Sequence, residues 1–338
     1  MAPRHHVPGG VTHPTARPYP DLMAPTPEQV TSALSALHSQ VGPDRSGEVA
    51  TYIPELATAD PEAFGIGLAG VDGARYEVGD SQVPFTIQSV SKPFVHALAL
   101  TDRGLEGVLD AVGSEPSGRA FNAMGVEPGT GRPANPMINA GAIATTALVR
   151  AAGPAERFER IRECLSAFAG RELAVDEAVY RSEVATGDRN RALAYLVRAA
   201  GHLADDPLEV VDTYFRQCAV LVTASDLAVM GATLATGGRN PLTGRQVVTG
   251  EVARHVLSVM ATCGMYDYSG RWLLHVGMPA KSGVAGGLVA VSPGRFGVGV
   301  YSPRLDERGS SVRGVAALKL ASATLGLHLL ADPVRDGV

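Results

Sequence analysis

Residues 64–78, FGIGLAGVDGARYEV, contain two strand-like runs joined by a tight-turn dipeptide. The runs Phe64 to Val71 and Ala74 to Val78 flank Asp72-Gly73. An Asp-Gly pair is among the strongest short-range signals of a β-hairpin, because glycine reaches positive φ values without steric cost. The stretch therefore predicts that an antiparallel sheet begins early in the chain.

Helical patterns precede and follow this hairpin. Thr26 followed by Pro27 has the form of a helix N-cap with proline at the first helical position. Helical patterns also fill most of residues 103–222 and recur near 225–236 and 251–262. The last predicted elements are strands at Trp272 to Val276, Gly287 to Val291 and Arg295 to Tyr301, and a helix at Val312 to Leu330.

This order of elements predicts an α/β fold in which an antiparallel sheet flanked by helices is interrupted by an all-helical domain. We assign residues 25–102 and 223–338 to a discontinuous α/β domain and residues 103–222 to the helical domain. The first and last helices are predicted to pack on one face of the sheet. Residues 1–24, which contain several prolines and histidines, are predicted to form a disordered leader.

Composition argues against several classes of partner. The 338-residue chain has a formal net charge of −5 and no local basic run, which argues against nucleic acid or an anionic membrane as a partner. No apolar stretch reaches the length of a membrane span, so we expect a soluble, cytoplasmic protein. Cys164, Cys218 and Cys263 are widely separated and show neither a disulfide framework nor metal-ligand spacing.

Lysine is scarce in this chain, with three residues among 29 lysines and arginines. Arginine stays protonated in proteins, whereas a desolvated lysine can become neutral and act as a base. Lys92 follows Ser89 by three residues in Gln88-Ser89-Val90-Ser91-Lys92, at the start of a predicted helix. On a helix this spacing puts both side chains on one face, which would give a serine nucleophile and its base. Alone, such a pair is more often part of a solvated helix surface.

A second lysine motif follows in the order expected for a serine hydrolase. Lys281-Ser282-Gly283 resembles the Lys-Thr-Gly element that accompanies Ser-x-x-Lys in penicillin-recognising enzymes. By itself it would be interpreted as a glycine-rich turn between strands, but the two motifs together favour an active site. The chain lacks the Ser-Asp-Asn element of those enzymes, because Ser225-Asp226 continues into a predicted helix. That absence weakens a peptidase or β-lactamase interpretation.

Several blocks of sequence resemble the serine-dependent glutaminases. They are Tyr52 to Leu56, Asn135 to Ile143, Ser182-Glu183 with Gly187 to Asn190, Cys263 to Asp267, and Pro279 to Gly287. The blocks occur in family order, and the resemblance extends from about residue 25 to residue 330. It implies a β-lactamase-like fold that hydrolyses L-glutamine to L-glutamate and ammonia without a metal or organic cofactor. It also implies a homodimer or homotetramer.

The same resemblance implies roles for the catalytic residues. Ser89 matches the nucleophile and Lys92 the base that activates it. The backbone N–H groups of Ser89 and Val284 match the oxyanion hole. Tyr266 matches the tyrosine that relays a proton to the leaving ammonia, and Tyr52 matches a second active-site tyrosine.

Substrate-binding roles follow from the resemblance as well. Asn139, Glu183, Asn190 and Tyr214 match the positions that hold the amino-acid end of the substrate, beside Ser89, Tyr266 and Val284. We assign Glu183 to the α-ammonium group, because that cation needs a buried anion. The α-carboxylate is assigned to Asn139 and Tyr214, with Tyr52 as a further candidate, and Asn190 is open to either charge. Lys281, Ser282 and Gly283 are expected to support the site.

Two other functions remain open on sequence alone. One is a penicillin-recognising serine hydrolase of the same fold. The other is a non-catalytic sensor that binds an amino acid and signals through a partner. The presence of Ser89, Lys92, Tyr266 and Lys281 argues against a silent sensor, since a degenerate site would be expected to have lost one of them.

Overall fold

The structure is a computed structural model that describes residues 26–118 and 125–331. Within these residues the chain forms helices and short strands that are numbered here in chain order. The helices are α1 Pro27–Val41, α2 Lys92–Leu109, α3 Asn139–Leu148, α4 Pro154–Ala169, α5 Glu177–Thr186, α6 Asp188–Ala199, α7 Pro207–Cys218, α8 Ala224–Ala235, α9 Gly250–Cys263, α10 Ser269–His275 and α11 Val312–Leu325. The strands are β1 Gly65–Gly70, β2 Arg75–Gly79, β3 Phe85–Thr86, β4 Leu221–Val222, β5 Ala280–Ser282, β6 Gly287–Ser292 and β7 Phe296–Tyr301.

The main sheet has five antiparallel strands in the order β2-β1-β7-β6-β5. The predicted hairpin is confirmed, since β1 pairs with β2 and Gly73 in the turn has a φ of +90°. The first and last strand regions of the chain meet at the sheet centre, where β1 pairs with β7. The small strands β3 and β4 form a separate pair.

Helices cover both faces of the sheet. On one face α1 and α11 pack together, as predicted, and share a buried apolar cluster with the sheet. The N-cap predicted at Thr26 is confirmed, and the structure shows that it forms a capping box with the Gln29 side chain. On the other face α8 lies directly against β7, β1 and β6.

The contact between α8 and β7 brings two backbones together. A Cβ atom placed on Gly299 would lie 2.0 Å from the carbonyl oxygen of Ala224, and one on Gly297 would lie 2.1 Å from the amide nitrogen of Ala232. No side chain fits at either position, because real Cβ contacts are longer than 3 Å. Glycine on β7 is therefore what allows α8 to approach the sheet so closely.

Two predicted elements differ from the structure. The strand predicted at Trp272 to Val276 is wrong, because these residues belong mainly to α10. Trp272 and Val276 are buried whereas Leu274 is 72% exposed, so the apolar side chains follow helical spacing instead of alternation. The last helix ends at Leu325 instead of Leu330, since Gly326 adopts a left-handed C-cap with φ +58°.

The predicted helical block also contains a long irregular segment. Between α2 and α3 the described residues form turns and isolated bridges, including Val126 with Pro133. The largest apolar cluster joins Phe94 of α2 to Phe168 of α4 and Leu234 of α8, so it includes residues from both predicted domains. The division into domains stays a prediction, and the predicted leader lies outside the described residues. No helix in residues 26–118 and 125–331 is long and apolar enough to cross a membrane.

The close approach of α8 to β7 predicts a large difference between two glycine substitutions. Gly299→Ala should lower the free energy of unfolding by about 3 kcal/mol or prevent folding, because the added methyl group cannot be accommodated. Gly270→Ala in α10, where a Cβ meets nothing within 4 Å, should be neutral or stabilising by about 0.5–1 kcal/mol. Chemical denaturation of both variants measures the difference. Equal stability would contradict the described packing of α8.

Candidate active site

Ser89 lies on a 3₁₀ helix, Gln88–Ser91, that runs directly into α2 at Lys92. In a 3₁₀ helix, residues three apart are eclipsed, so Ser89 and Lys92 project from the same side of the turn. The sequence predicted this shared face, although on one continuous helix. Pro93 occupies the first turn of α2, where a missing N–H costs no intrahelical hydrogen bond.

The amine of Lys92 is buried and has a specific partner. Its Nζ atom donates a hydrogen bond of 2.7 Å to Oδ1 of Asn139, at the start of α3. Burial lowers the pKa of Lys92 to about 8, and the nearby Glu183 partly offsets this effect. A neutral amine is therefore accessible near physiological pH, which is what a general base requires.

Tyr266 joins Ser89 to the second lysine motif. Its side chain is hydrogen-bonded to that of Ser89, and burial raises the pKa of its phenol to about 12. The Nζ atom of Lys281 lies 4.1 Å from the centroid of its ring, and that of Lys92 lies 6.0 Å from it. Tyr266 also has a left-handed backbone with φ +56°. A strained residue of this kind is typical of functional sites.

The edge strand β5 brings the second motif against the Ser89 turn. Lys281 is fully buried and donates a hydrogen bond of 2.7 Å to the carbonyl of Ser282, and burial lowers its pKa well below the ordinary value. A Cβ on Gly283 would lie 3.0 Å from Cγ2 of Val90 and 3.1 Å from the carbonyl oxygen of Ile87. Because Gly283 packs on the residues that flank Ser89, the following Val284 lies beside the same turn.

Ser282 does not join this group through its side chain. The register pairs Lys281 with Val289, which belongs to the apolar cluster beneath α2 and α8. It pairs Ser282 with Leu288, which belongs to the cluster beneath α1 and α11. Successive side chains of a strand point to opposite faces, so the hydroxyl of Ser282 lies away from Lys281. Its Oγ atom is buried and has no hydrogen-bond partner among the described residues.

Asn139 connects Lys92 to two of the predicted substrate-binding residues. Its Nδ2 atom donates a hydrogen bond of 3.0 Å to Oδ1 of Asn190 in α6. Its Oδ1 atom accepts a second hydrogen bond, of 3.5 Å, from the hydroxyl of Tyr214 in α7. Helices α3, α6 and α7 thus place three polar side chains around the amine of Lys92.

Glu183 supplies a buried carboxyl group on α5 beside this cluster. Burial raises its pKa to about 7, while a hydrogen bond from the side chain of Gln88 and the charge of Lys92 oppose the shift. When the amine of Lys92 is neutral, it no longer compensates the negative charge of ionised Glu183. The site can therefore accept a cationic group next to Glu183.

Tyr52 lies at the exposed side of the site. It presents 57% of its surface to solvent, and the protein around it together with Glu183 and Tyr266 raises the pKa of its phenol. Its phenol therefore lies near Glu183 and Tyr266. The residues 26–118 and 125–331 contain no group of three or more histidine, cysteine or acidic side chains that could hold a metal ion.

Two residues of the site were missed by sequence reasoning. Gln88 is buried, directly precedes Ser89 and contacts Glu183, and only its place beside Ser89 could have indicated a role. Cys218 was assigned no role from its position in the sequence. It is buried, its thiol is hydrogen-bonded to Tyr214 and lies near Lys92 and Glu183, and burial raises its pKa.

Comparisons with known proteins agree along most of the chain. The family model described as Glutaminase matches residues 47–330. Glutaminase 1 of Bradyrhizobium diazoefficiens is 56% identical over 297 residues, which are 87% of this chain and 48% of that protein. Glutaminase of Trichormus variabilis is 50% identical over 303 residues, which are 90% of this chain and 91% of that protein. The chain thus spans about half the length of the Bradyrhizobium relative and most of the Trichormus one.

Solved structures show the same similarity in three dimensions. The crystal structure of Mglu in its native form has a TM-score of 0.86 and 51% identity, and covers 89% of this chain and 73% of that one. The structure described as probable glutaminase ybaS has a TM-score of 0.89 and 38% identity, and covers 91% of this chain and 100% of that one. These matches confirm the predicted fold class, an α/β fold of the β-lactamase-like kind.

The scarcity of lysine makes the state of Lys92 directly measurable. In protein labelled with ¹³C-lysine, one ε-carbon signal should titrate near pH 8 and disappear in Lys92→Met, while exposed Lys319 provides a reference. Asn139→Asp should move the titration midpoint of Lys92 upward by about 1–3 pH units, because a carboxylate would replace the amide oxygen that lies 2.7 Å from Nζ. A Lys92 midpoint near the ordinary 10.5 would show that the amine is not desolvated.

Proposed function

The chain belongs to the glutaminase family, and from this premise we propose that it hydrolyses L-glutamine to L-glutamate and ammonia. The observation that supports this most strongly is the buried amine of Lys92, which shares one side of a helical turn with Ser89. A site of this kind can make a serine hydroxyl nucleophilic without a cofactor. The surrounding amides, phenols and carboxylate fit a zwitterionic substrate.

In the first half-reaction Ser89 attacks the carbon of the side-chain carboxamide. Neutral Lys92 takes the hydroxyl proton, a C–O bond forms, and the C–N bond breaks. Tyr266, hydrogen-bonded to Ser89, gives its proton to the departing nitrogen, which leaves as ammonia. The phenolate then takes the proton that Lys92 received, so Tyr266 is protonated and Lys92 is neutral again for the second half-reaction. The enzyme is then a glutamyl ester at Ser89.

In the second half-reaction a water molecule replaces ammonia. Lys92 removes a proton from the water as it attacks the ester carbonyl, and the proton returns to the Ser89 oxygen when the C–O bond breaks. In both steps the negative charge on the carbonyl oxygen is assigned to the N–H groups of Ser89 and Val284. The packing of Gly283 on the Ser89 turn supports this pairing, because it sets the two backbones side by side.

Recognition of the amino-acid end is assigned to the cluster around Asn139. Ionised Glu183 would bind the α-ammonium group, while Asn139 and Tyr214 would contact the α-carboxylate. Asn190 orients Asn139 through the hydrogen bond of 3.0 Å, and Tyr52 would close the exposed side. The predicted oligomer and cytoplasmic location remain predictions.

The proposed reaction is tested by measuring ammonia and glutamate release from L-glutamine by the purified protein. Ser89→Ala and Lys92→Arg should each reduce kcat on the order of 10²–10⁴-fold with the fold intact, since arginine keeps the charge but cannot accept a proton. L-asparagine and a chromogenic β-lactam serve as competing substrates.

The other outcomes identify the alternative functions. Glutamine binding in a thermal-shift assay without turnover would support the non-catalytic sensor. Cleavage of the β-lactam alone would support a penicillin-recognising hydrolase. Near-normal turnover by Lys92→Arg would refute the assignment of Lys92 as the base.

The raised pKa of Glu183, about 7, predicts how substrate affinity depends on pH. Below pH 7 the carboxyl is protonated and loses its attraction for the α-ammonium, so KM should fall as pH rises from about 6 to 8. Glu183→Gln should raise KM on the order of 10–100-fold and remove this dependence. Steady-state kinetics across the pH range measure both effects, and Glu177→Gln on the exposed face of α5 is the control. A defect confined to kcat would contradict the assignment of Glu183.

A further inference from the structure

The residue before the nucleophile has a strained backbone. Gln88 has a φ of +48° and, with Tyr266, is one of two non-glycine residues with positive φ in the described parts of the chain. Such a conformation costs on the order of 1–3 kcal/mol and persists only where the surroundings hold it. The direction in which Ser89 leaves the turn depends on this conformation, because Gln88 supplies the preceding peptide plane.

A buried hydroxyl holds the carbonyl of this strained residue. Oγ of Ser91 donates a hydrogen bond of 2.8 Å to the carbonyl oxygen of Gln88. The same Oγ accepts a hydrogen bond of 2.8 Å from Nε2 of Gln217, which lies in α7. Neither Ser91 nor Gln217 is exposed to solvent, so water does not compete for these groups.

The amide of Gln217 determines which way the Ser91 proton points. A serine hydroxyl has one proton, and an oxygen that accepts from Gln217 must use that proton elsewhere. The carbonyl of Gln88 is the acceptor in reach. Oε1 of Gln217 is in turn 3.1 Å from Oγ1 of buried Thr146 in α3, whose one proton is shared between this oxygen and the carbonyl of Ala142 at 2.9 Å.

We propose that Gln217 is a positioning residue for Ser89: its amide directs the Ser91 hydroxyl onto the Gln88 carbonyl and so holds the left-handed turn from which the nucleophile projects. This inference rests on the proposed glutamine hydrolysis for its kinetic consequences. It does not require Gln217 to contact substrate. The chain of hydrogen bonds links the nucleophile turn to α7 and, through Thr146, to α3, the helices that carry Tyr214 and Asn139.

The kinetic test replaces Gln217 with methionine, which has a similar shape but cannot donate to Ser91. Gln217→Met should lower kcat about 10–100-fold, since displacement of a reacting group by ~1 Å costs on the order of 10²-fold. KM should change less than kcat, and the midpoint of its pH dependence should move upward, because a displaced Gln88 no longer donates a hydrogen bond to Glu183. Equal kcat in the variant and the wild type would overturn the proposal.

Thr146→Val is the matched control in the same network. It removes the contact with Oε1 of Gln217 but leaves the hydrogen bond from Nε2 to Ser91. It should lower thermal stability about as much as Gln217→Met while retaining most of kcat. If both variants lose kcat in proportion to their loss of stability, the effect of Gln217 is general destabilisation and the proposal fails.

A double-mutant cycle tests whether Gln217 acts through Ser91. Ser91→Ala should lower kcat at least as much as Gln217→Met, and the double variant should be no slower than Ser91→Ala. Independent effects that multiply in the double variant would contradict a shared chain of contacts.

Crystal structures of the wild type and Gln217→Met provide a readout that does not depend on activity. The variant should show Gln88 outside the left-handed region, with its carbonyl turned away from Ser91. An unchanged positive φ at Gln88 would overturn the proposal whatever the kinetics show. A wild-type protein that releases no ammonia from glutamine would count against the proposed function alone, because the structural comparison still decides the role of Gln217.

Discussion

The burial of the Lys92 amine is the constraint on which the rest of the site depends. A protonated ammonium group loses most of its hydration in such a place, and the protein offers it an amide oxygen from Asn139, not a paired carboxylate. The pKa falls to about 8 as a result. A closer anion would keep the lysine charged, and a fully apolar pocket would leave it without a partner. Glu183 therefore lies near enough to raise the pKa of Lys92 in part, but it does not pair with the amine and keep it charged.

Holding the amine there requires several helices to meet at one point. Asn139 begins α3, Asn190 lies on α6 and Tyr214 on α7, while α2 carries Lys92 itself. The apolar cluster shared by α3, α6 and α7 fixes the helices that supply these polar groups. On the sheet side, β5 carries Lys281 and is followed directly by Gly283, and it pairs with β6, which in turn pairs with β7. The close contact of α8 with β7 therefore helps to fix the part of the sheet that positions β5 in the site.

Local signals in the sequence were sufficient to predict much of the fold. The hairpin at Asp72-Gly73 and the N-cap at Thr26 depend on neighbouring residues, and both were predicted. The strand predicted at Trp272 to Val276 was wrong because a short apolar run fits either a strand or a buried helix. Only tertiary packing decides between the two structures. The contacts of Gln217 could not be predicted, since Ser91 is 126 positions away and occupies an unspecified position of the Ser-x-x-Lys motif, and Gln217 lies in none of the quoted blocks. The side of the sheet on which the Ser282 side chain lies could not be predicted either, because it depends on the pairing register of β5 with β6.

The burial of the lysines also determines which lysine amines of the folded protein can react with acylating reagents. Lys92 and Lys281 are buried, and Lys319 on α11 is the one exposed lysine of the chain. An acylating reagent or an activated resin therefore finds a single lysine side chain on the native surface. That side chain lies on a helix that packs on the face of the sheet opposite α8. Immobilisation through Lys319 would attach the molecule in one orientation and leave Lys92 unmodified.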